Sequence, residues 1–318
     1  MAKQQILLES GTNEMELLEF LIRDQSFGVN VAKVQSIVQY DPKTVTKVAT
    51  SPPAMMGVML HRGKTIPLIN LANALDMHKK NIDDANSISV VIVTEFNNAI
   101  NSFLVDGVNR IHRLTWSEFV PISNVIKSSG LGVIGSVHID KKEIMIIDLE
   151  HILSKIFPHL AIGEAASKTF QIEKKQGREN VVVFFAEDSK TIRDNVVRIL
   201  SSAGYSNVRV FENGQKAFDA LMGIRDKVKA EDSFATELPD VLISDIEMPE
   251  LDGLTLCKRI KSDALLKNIP VIMFSSLINN QMVVKCESVG ADNYVTKPEM
   301  NKLIHMLDDS CLKKEKEG

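Results

Sequence analysis

Cysteine is scarce and placed without pattern, with Cys257, Cys286 and Cys311 the three in 318 residues. An odd count and no CxxC pair imply neither a disulfide framework nor a thiolate zinc site, and a reducing cytoplasm fits this usage. The seven histidines never fall in an HExxH or comparable ligand spacing, so none is assigned chemistry. Long apolar runs are missing too. No stretch approaches the ~18–20 residues of a membrane helix, and the opening MAKQQILLESG has too short an apolar core for a signal peptide. No direct membrane insertion is expected, and any membrane association would come through a partner. Charge of one sign is also lacking: 37 Lys and Arg face 41 Asp and Glu, a net charge of −4. That balance gives no basic field for a phosphate backbone, so nucleic acid is not an expected partner. There is no helix-turn-helix pattern, no Gly-rich nucleotide fingerprint and no nucleophile elbow, which disfavours an enzymatic or DNA-binding output.

What is present is an ordinary globular composition, 44% hydrophobic and 25% charged, in a chain long enough for two domains. The stretch from Gly163 to Asn180, GEAASKTFQIEKKQGREN, is polar and poor in branched apolar residues, with strong hydrophobic periodicity on both sides. It divides the chain into a first domain over 1–163, a linker over 164–179 and a second domain over 180–312. The tail 313–318, KKEKEG, has nothing to bury and is expected to be disordered.

Short apolar runs bounded by Gly, Asn and Pro dominate the first domain: Ser87–Val93, Ile100–Val105, Ile66–Ile69 and Ile144–Ile147. They are strand signals, so this half is mainly β. It also contains an echo. MGVMLHRGKTIPLINLANAL, from Met56, lies without gaps on IGSVHIDKKEIMIIDLEHIL, from Ile134, so that Gly57 meets Gly135, Leu71 meets Leu149 and Leu75 meets Leu153. Each copy reads as strand, tight turn, strand and short helix. A duplicated β-subdomain explains the register, although any hairpin followed by a helix would look similar. Two small β-barrels are expected.

After the linker, apolar strands alternate with amphipathic helices. The strands are Val181–Ala186, Val208–Phe211, Val241–Ser244, Val271–Ser275 and Asn293–Thr296. Between the first two lies a helical stretch, Ser189–Ala203, with Ile192, Val196, Ile199, Leu200 and Ala203 on one face. Five β units with helical crossovers imply a parallel, doubly wound sheet whose ligand site lies beyond the strands' carboxyl ends. The region after Gly214 is longer than such a domain needs, and is either a contact loop or tolerated length.

Three features fall at those ends: Glu187 and Asp188 after the first strand, Asp245 after the third, and Lys297 with Pro298 after the fifth. Asp188-Ser189 alone could be a helix cap, Asp245 a loop carboxylate and Lys297 a solvated cation. Their convergence on one sheet edge argues otherwise. Clustered carboxylates raise one another's pKa, and a hard divalent cation such as Mg²⁺ with oxygen ligands relieves this. Lys297 then offers a positive charge to a phosphoryl oxygen, and Ser275, ending the fourth strand, offers a hydroxyl.

The motifs VVVFFAEDS, VLISDIEMPELDG, PVIMFSS and ADNYVTKP, in this order, resemble those of response-regulator receiver domains, which have a flavodoxin-like fold with a five-stranded parallel sheet. The resemblance implies that Asp245 is the phosphoacceptor and that Asp188 and Asp245 ligate Mg²⁺ directly. It further implies that the backbone carbonyl of Glu247 completes the protein ligands, that Glu187 acts through water, and that Ser275 and Lys297 bind the phosphoryl oxygens. A cis Lys297–Pro298 bond is implied as well. Tyr294 stands where the family often carries a switch aromatic, a position equally suited to packing.

In the first half, FLIRDQSFGVNVAKVQSIVQY, TSPPAMMGVMLHRGKTIPLINL and IGSVHIDKKEIMIIDLEHIL resemble the CheW family, chemotaxis coupling proteins built of two small SH3-like β-barrels. A CheW-like domain followed by a receiver is the arrangement of the CheV family. The resemblance implies docking between chemoreceptor cytoplasmic tips and a CheA-type chemotaxis histidine kinase, in the cytoplasm and at receptor arrays. Val34 matches a family apolar position near partner contacts. Arg62 matches a family Arg of the coupling surface, and bracing the two hairpins through backbone carbonyls is its alternative role. Ser36 departs from the acidic residue that single-domain relatives commonly carry there. The expected function is a non-enzymatic coupling protein modulated by Mg²⁺-dependent phosphorylation of Asp245. The alternative is a phosphate sink that drains the kinase, with the first half as a tether.

Overall fold

The computed structural model describes residues 11–49, 51–77, 89–97, 99–122, 132–157, 175–229, 238–278, 280–297 and 299–312. The tail 313–318, linker residues 164–174 and the Lys297–Pro298 bond, expected above to be disordered, a linker and cis respectively, lie outside the described residues. So does the segment 230–237 of the extended region. The chain forms two units, Met15–Glu164 and Ala165–Gly318, and Met1–Glu14 groups with the second.

The first unit holds two six-stranded sheets. One consists, in order, of β10 (Val120–Pro121), β11 (Val133–Ile139), β12 (Lys142–Ile147), β2 (Gln25–Asn30), β1 (Glu14–Ile22) and β9 (Gly107–Thr115). The other consists of β4 (Val45–Thr46), β5 (Met55–His61), β6 (Lys64–Asn70), β8 (Ala99–Val105), β7 (Val90–Phe96) and β3 (Val34–Gln39). The strand expected from Ser87 begins at Val90, and 87–88 are outside the described residues. Each sheet curls until an edge strand reaches its hairpin turn. Ser36 on β3 meets His61 at 3.3 Å, and Arg110 on β9 pairs with Asp140.

Side chains alternate between two cores, as the period of a strand requires. On β1, Met15 and Leu17 turn into an interior with Leu114, Trp116, Val137, Ile144 and Ile146. Leu18, Phe20 and Ile22 point the other way, into a core shared by both sheets that also takes Ile69, Ile92, Phe103, Ile147 and Leu153. The second sheet has its own interior around Ile66, Leu68, Val91 and Val93.

The sequence echo is a structural repeat. Met55 pairs with Ile69 and Gly57 with Leu68 across a bulge, while Val133 pairs with Ile147 and Gly135 with Ile146 across the same bulge. Both hairpins turn through consecutive positive-φ residues, Arg62-Gly63 and Asp140-Lys141, the geometry that suits right-handed strand twist. Helix α1 (Leu71–Ala74) follows an Asn70 cap and α2 (Leu149–Ile156) an Asp148 cap. Even the parallel joins correspond, β6 with β8 and β12 with β2.

The second unit is a parallel sheet in the order β14 (Asn207–Phe211), β13 (Val182–Ala186), β15 (Val241–Ser244), β16 (Val271–Ser275), β17 (Asn293–Thr296). Its helices are α3 (Lys190–Ala203), α4 (Gly214–Lys229), α5 (Gly253–Ser262), α6 (Asn280–Ser288) and α7 (Met300–Cys311). The face of α3 expected to be apolar buries Val196, Ile199, Leu200 and Ala203 against Val183, Phe185, Ile243 and Leu307. Chain order reverses between β14 and β15 on either side of β13, so the switch point lies at the carboxyl ends of β13 and β15. Arg178, inside the polar stretch before β13, is buried and makes a forked pair with Asp308 of α7, both bonds 2.8 Å.

Candidate functional site

At that switch point β13 ends in Ala186 and β15 in Ser244, so the next residues of both strands emerge side by side. The pairing of Ala186 with Ser244 continues into a hydrogen bond from the Asp245 N–H to the Ala186 carbonyl, 2.9 Å. Glu187 is held by its N–H on the Phe211 carbonyl, 3.0 Å, and by the Ser189 N–H on its Oε1, 3.2 Å. Ser189 in turn caps α3 by accepting the Ile192 N–H. Glu187, Asp188 and Asp245 each place a carboxylate oxygen within 4.8 Å of the others.

Lys297, directly after β17, reaches into this cluster. Its Nζ lies 2.7 Å from Asp245 Oδ2 and 3.1 Å from Glu187 Oε2. Glu187 is 0% exposed, Asp245 3% and Lys297 5%, while Asp188 is exposed to solvent. Burial pushes the Glu187 carboxyl well above the ordinary carboxylate range, the Lys297 ammonium opposes this, and Asp245 and Asp188 reinforce it.

Two observations fit a divalent cation here. Glu187 Oε2 is buried without a hydrogen bond, since the nearby ammonium is not aligned to it. With Glu187, Asp188 and Asp245 all ionised, three carboxylates gather beside the Lys297 ammonium, an excess of negative charge that a hard divalent cation would offset.

The remaining expected residues take these places. Ser275 ends β16, buried, and pairs with Thr296 of β17. Glu247 is half-buried two residues beyond Asp245. Tyr294 is half-buried in β17 opposite Met273. Val34 and Arg62 belong to the other unit: Val34 packs against the shared core and Arg62 is exposed on the β5–β6 turn.

Two contributors were not foreseen. Arg193, one turn into α3, donates to the Glu187 carbonyl and fixes the residue's backbone. Gly253, the first residue of α5, lies so close that a Cβ on it would stand 1.9 Å from the Asp245 carbonyl oxygen. The LDG before an amphipathic run marks the helix start, but only the folded chain shows what the glycine lies against.

The sequence pattern of the CheW-like domain matches residues 16–157, and that of the response regulator receiver domain matches 183–308. Chemotaxis protein CheV3 of Helicobacter pylori is 31% identical over 307 residues, which cover 91% of this chain and 92% of the relative. Chemotaxis protein CheV2 of the same organism is 25% identical over 298 residues, covering 89% of each. Among solved structures, scaffolding protein TtCheW from Thermoanaerobacter tengcongensis covers 43% of this chain and 91% of its own, with 23% identity and a TM-score of 0.38.

Proposed function

Because the chain belongs to the CheV family of chemotaxis coupling proteins, with a CheW-like domain and a receiver domain on one polypeptide, we propose that phosphorylation of Asp245 modulates how it links chemoreceptors to a chemotaxis histidine kinase. The observation that carries the chemistry is the Lys297 ammonium 2.7 Å from Asp245, beside three carboxylates gathered within 4.8 Å. In the transfer an Asp245 oxygen forms a bond to phosphorus as the donor's bond to phosphorus breaks, the electron pair leaving with the donor. Phosphoryl transfer needs positioning and charge neutralisation more than covalent assistance. Glu187, Asp188, Asp245 and the Glu247 carbonyl would hold Mg²⁺, which supplies the neutralisation at the transferring oxygens.

This chain's own groups do the rest. Lys297 follows negative charge from the carboxylate to the phosphoryl group, and Ser275 offers a hydroxyl from the neighbouring strand. Tyr294, two residues before Thr296 in β17, is the switch that responds to that hydroxyl. The phosphoryl group stays on the chain, so the protein is a signalling scaffold and not an enzyme with turnover. In the first unit, Val34 and Arg62 mark the coupling surface for receptor tips and the CheA-type kinase. Among the described residues no helix is long and apolar enough to cross a membrane, and attachment to receptor arrays comes through these partners.

Purified protein given acetyl phosphate should be labelled only with Mg²⁺ or Mn²⁺, and Asp245→Asn should take none. Equal labelling of that variant would remove the assignment. In a mixture with receptor fragment and kinase, phosphate should change the affinity of the full chain about 5–150-fold. Unchanged affinity with rapid drainage of the kinase would make the protein a phosphate sink.

A further inference from the structure

The loop after Asp245 grips a residue from the far end of the sequence. The Asn13 N–H donates to Thr255 Oγ1 at 2.8 Å, and its side-chain amide donates to the Glu250 carbonyl at 2.8 Å. Its side-chain carbonyl accepts the Asp252 N–H at 3.0 Å. Asn13 has φ 59°, a left-handed conformation that Asn tolerates better than other side-chain-bearing residues. Gly11, at φ 74°, runs so close to α5 that a Cβ would stand 2.7 Å from Lys258 Cδ and 3.2 Å from Lys258 Cβ.

The loop is equally tied to Asp245. At its start the Ile246 N–H donates to Asp245 Oδ1 at 2.6 Å. At its end Gly253 abuts the Asp245 carbonyl and donates to the Ile246 carbonyl at 3.0 Å. Asp252 caps α5 by accepting both the N–H and the hydroxyl of Thr255, each at 2.7 Å, and Thr255 Oγ1 is then the acceptor for Asn13. Hydrogen bonds therefore run from the acceptor carboxylate through residues 246–252 to Asn13.

We infer that residues 11–13 form a strap that senses phosphorylation of Asp245 through the 246–252 loop and hands it to β1, which begins at the next residue, Glu14. The inference rests on Asp245 being the acceptor, as proposed above. Whichever Asp245 oxygen bonds phosphorus gives up either the Lys297 ammonium or the Ile246 N–H. Mg²⁺, if held by Asp245 and the Glu247 carbonyl, would add a second tie between this loop and the pocket, competing with the grip at Glu250 and Asp252. Phosphorylation loosens the strap.

The test is amide hydrogen exchange over residues 11–14 of the full chain, with and without Mg²⁺ and beryllofluoride, an acyl-phosphate mimic whose occupancy is followed by fluorine NMR. Occupancy should speed exchange about tenfold, inside the usual range of allosteric coupling. Asn13→Gly, which keeps the left-handed backbone and deletes two of the bonds, should exchange at the faster rate already and respond no further. Gly11→Val, which has no room against Lys258, should behave the same way if Asn13→Gly is unstable. Occupancy without a change in exchange overturns the strap and leaves the acceptor assignment intact, as does unmodified Asn13→Gly exchanging at the wild-type rate. No occupancy with Asp245 intact overturns both.

Discussion

At the scale of single residues, the second unit contains two buried ionic clusters with opposite consequences. Around Lys297 the carboxylates outnumber their partner, and Glu187 is pushed toward its protonated form. Around Asp308 the partners outnumber the carboxylate. Burial alone would push the Asp308 carboxyl up, but hydrogen bonds from Arg178, Lys175 and Tyr205 hold it down at about 2. A carboxyl lowered on folding stabilises above its unfolded pKa of about 4, and that stability is lost as pH falls through about 2. With the partly exposed Lys175 in the cluster the effect is discounted to about 1–2 kcal/mol. Acid titration of the unfolding midpoint should show this loss between about pH 4 and pH 2, and Asp308→Asn should remove it. Arg178→Met, which removes the forked partner and leaves Asp308 only Lys175 and Tyr205 of the three groups named here, should cost about 2–4 kcal/mol in a denaturant melt.

At the scale of elements, the local signals were strong where burial is complete. Val241–Ser244 and Val271–Ser275 are strands over those same residues, because a central parallel strand buried on both faces reads as an apolar run, and the edge strand Asn293–Thr296, only half buried, also keeps its bounds. Glu187, Asp245 and Lys297 could be placed at one sheet edge from the sequence because each is the residue next after a strand. Asn13, Arg193 and Gly253 were not legible, because their roles depend on contacts between distant elements that no local pattern encodes. The polar look of the stretch through Arg178 hid a residue whose charge is buried only because Asp308 lies 130 positions away. Gly253 gives the sharpest test at this scale. Gly253→Ala should drive the start of α5 off the Asp245 carbonyl, at about 1–3 kcal/mol or more for overpacking. Its thermal midpoint should fall, and its labelling by acetyl phosphate should slow even though every charged site residue is present.

At the scale of the whole molecule, the two units have separate cores, so calorimetry of the full chain should resolve two unfolding transitions. Mg²⁺ should raise only the transition of the receiver unit, by about 2.7 kcal/mol at a hundred times its dissociation constant. A shift of both transitions, or of neither, would count against the acidic cluster as the cation site. The first unit carries another consequence in its strand order. The sheet of β3 to β8 is contiguous in sequence and can assemble as soon as residue 105 is available, but its companion is split, with β1 and β2 at one end of the unit and β9 to β12 at the other. On the ribosome β2 waits for β12 while residues 31–141 are made, which at ~5–20 residues per second is about 6–22 s. For that time the β1–β2 hairpin has an open edge able to pair with another nascent chain. Chains stalled at residue 141, one short of β12, should therefore be protected from protease within β5, β6, β7 and β8 and cut within 14–30. The split strand order thus leaves one edge of the first-made hairpin, that of β2, waiting for a strand near the end of the unit.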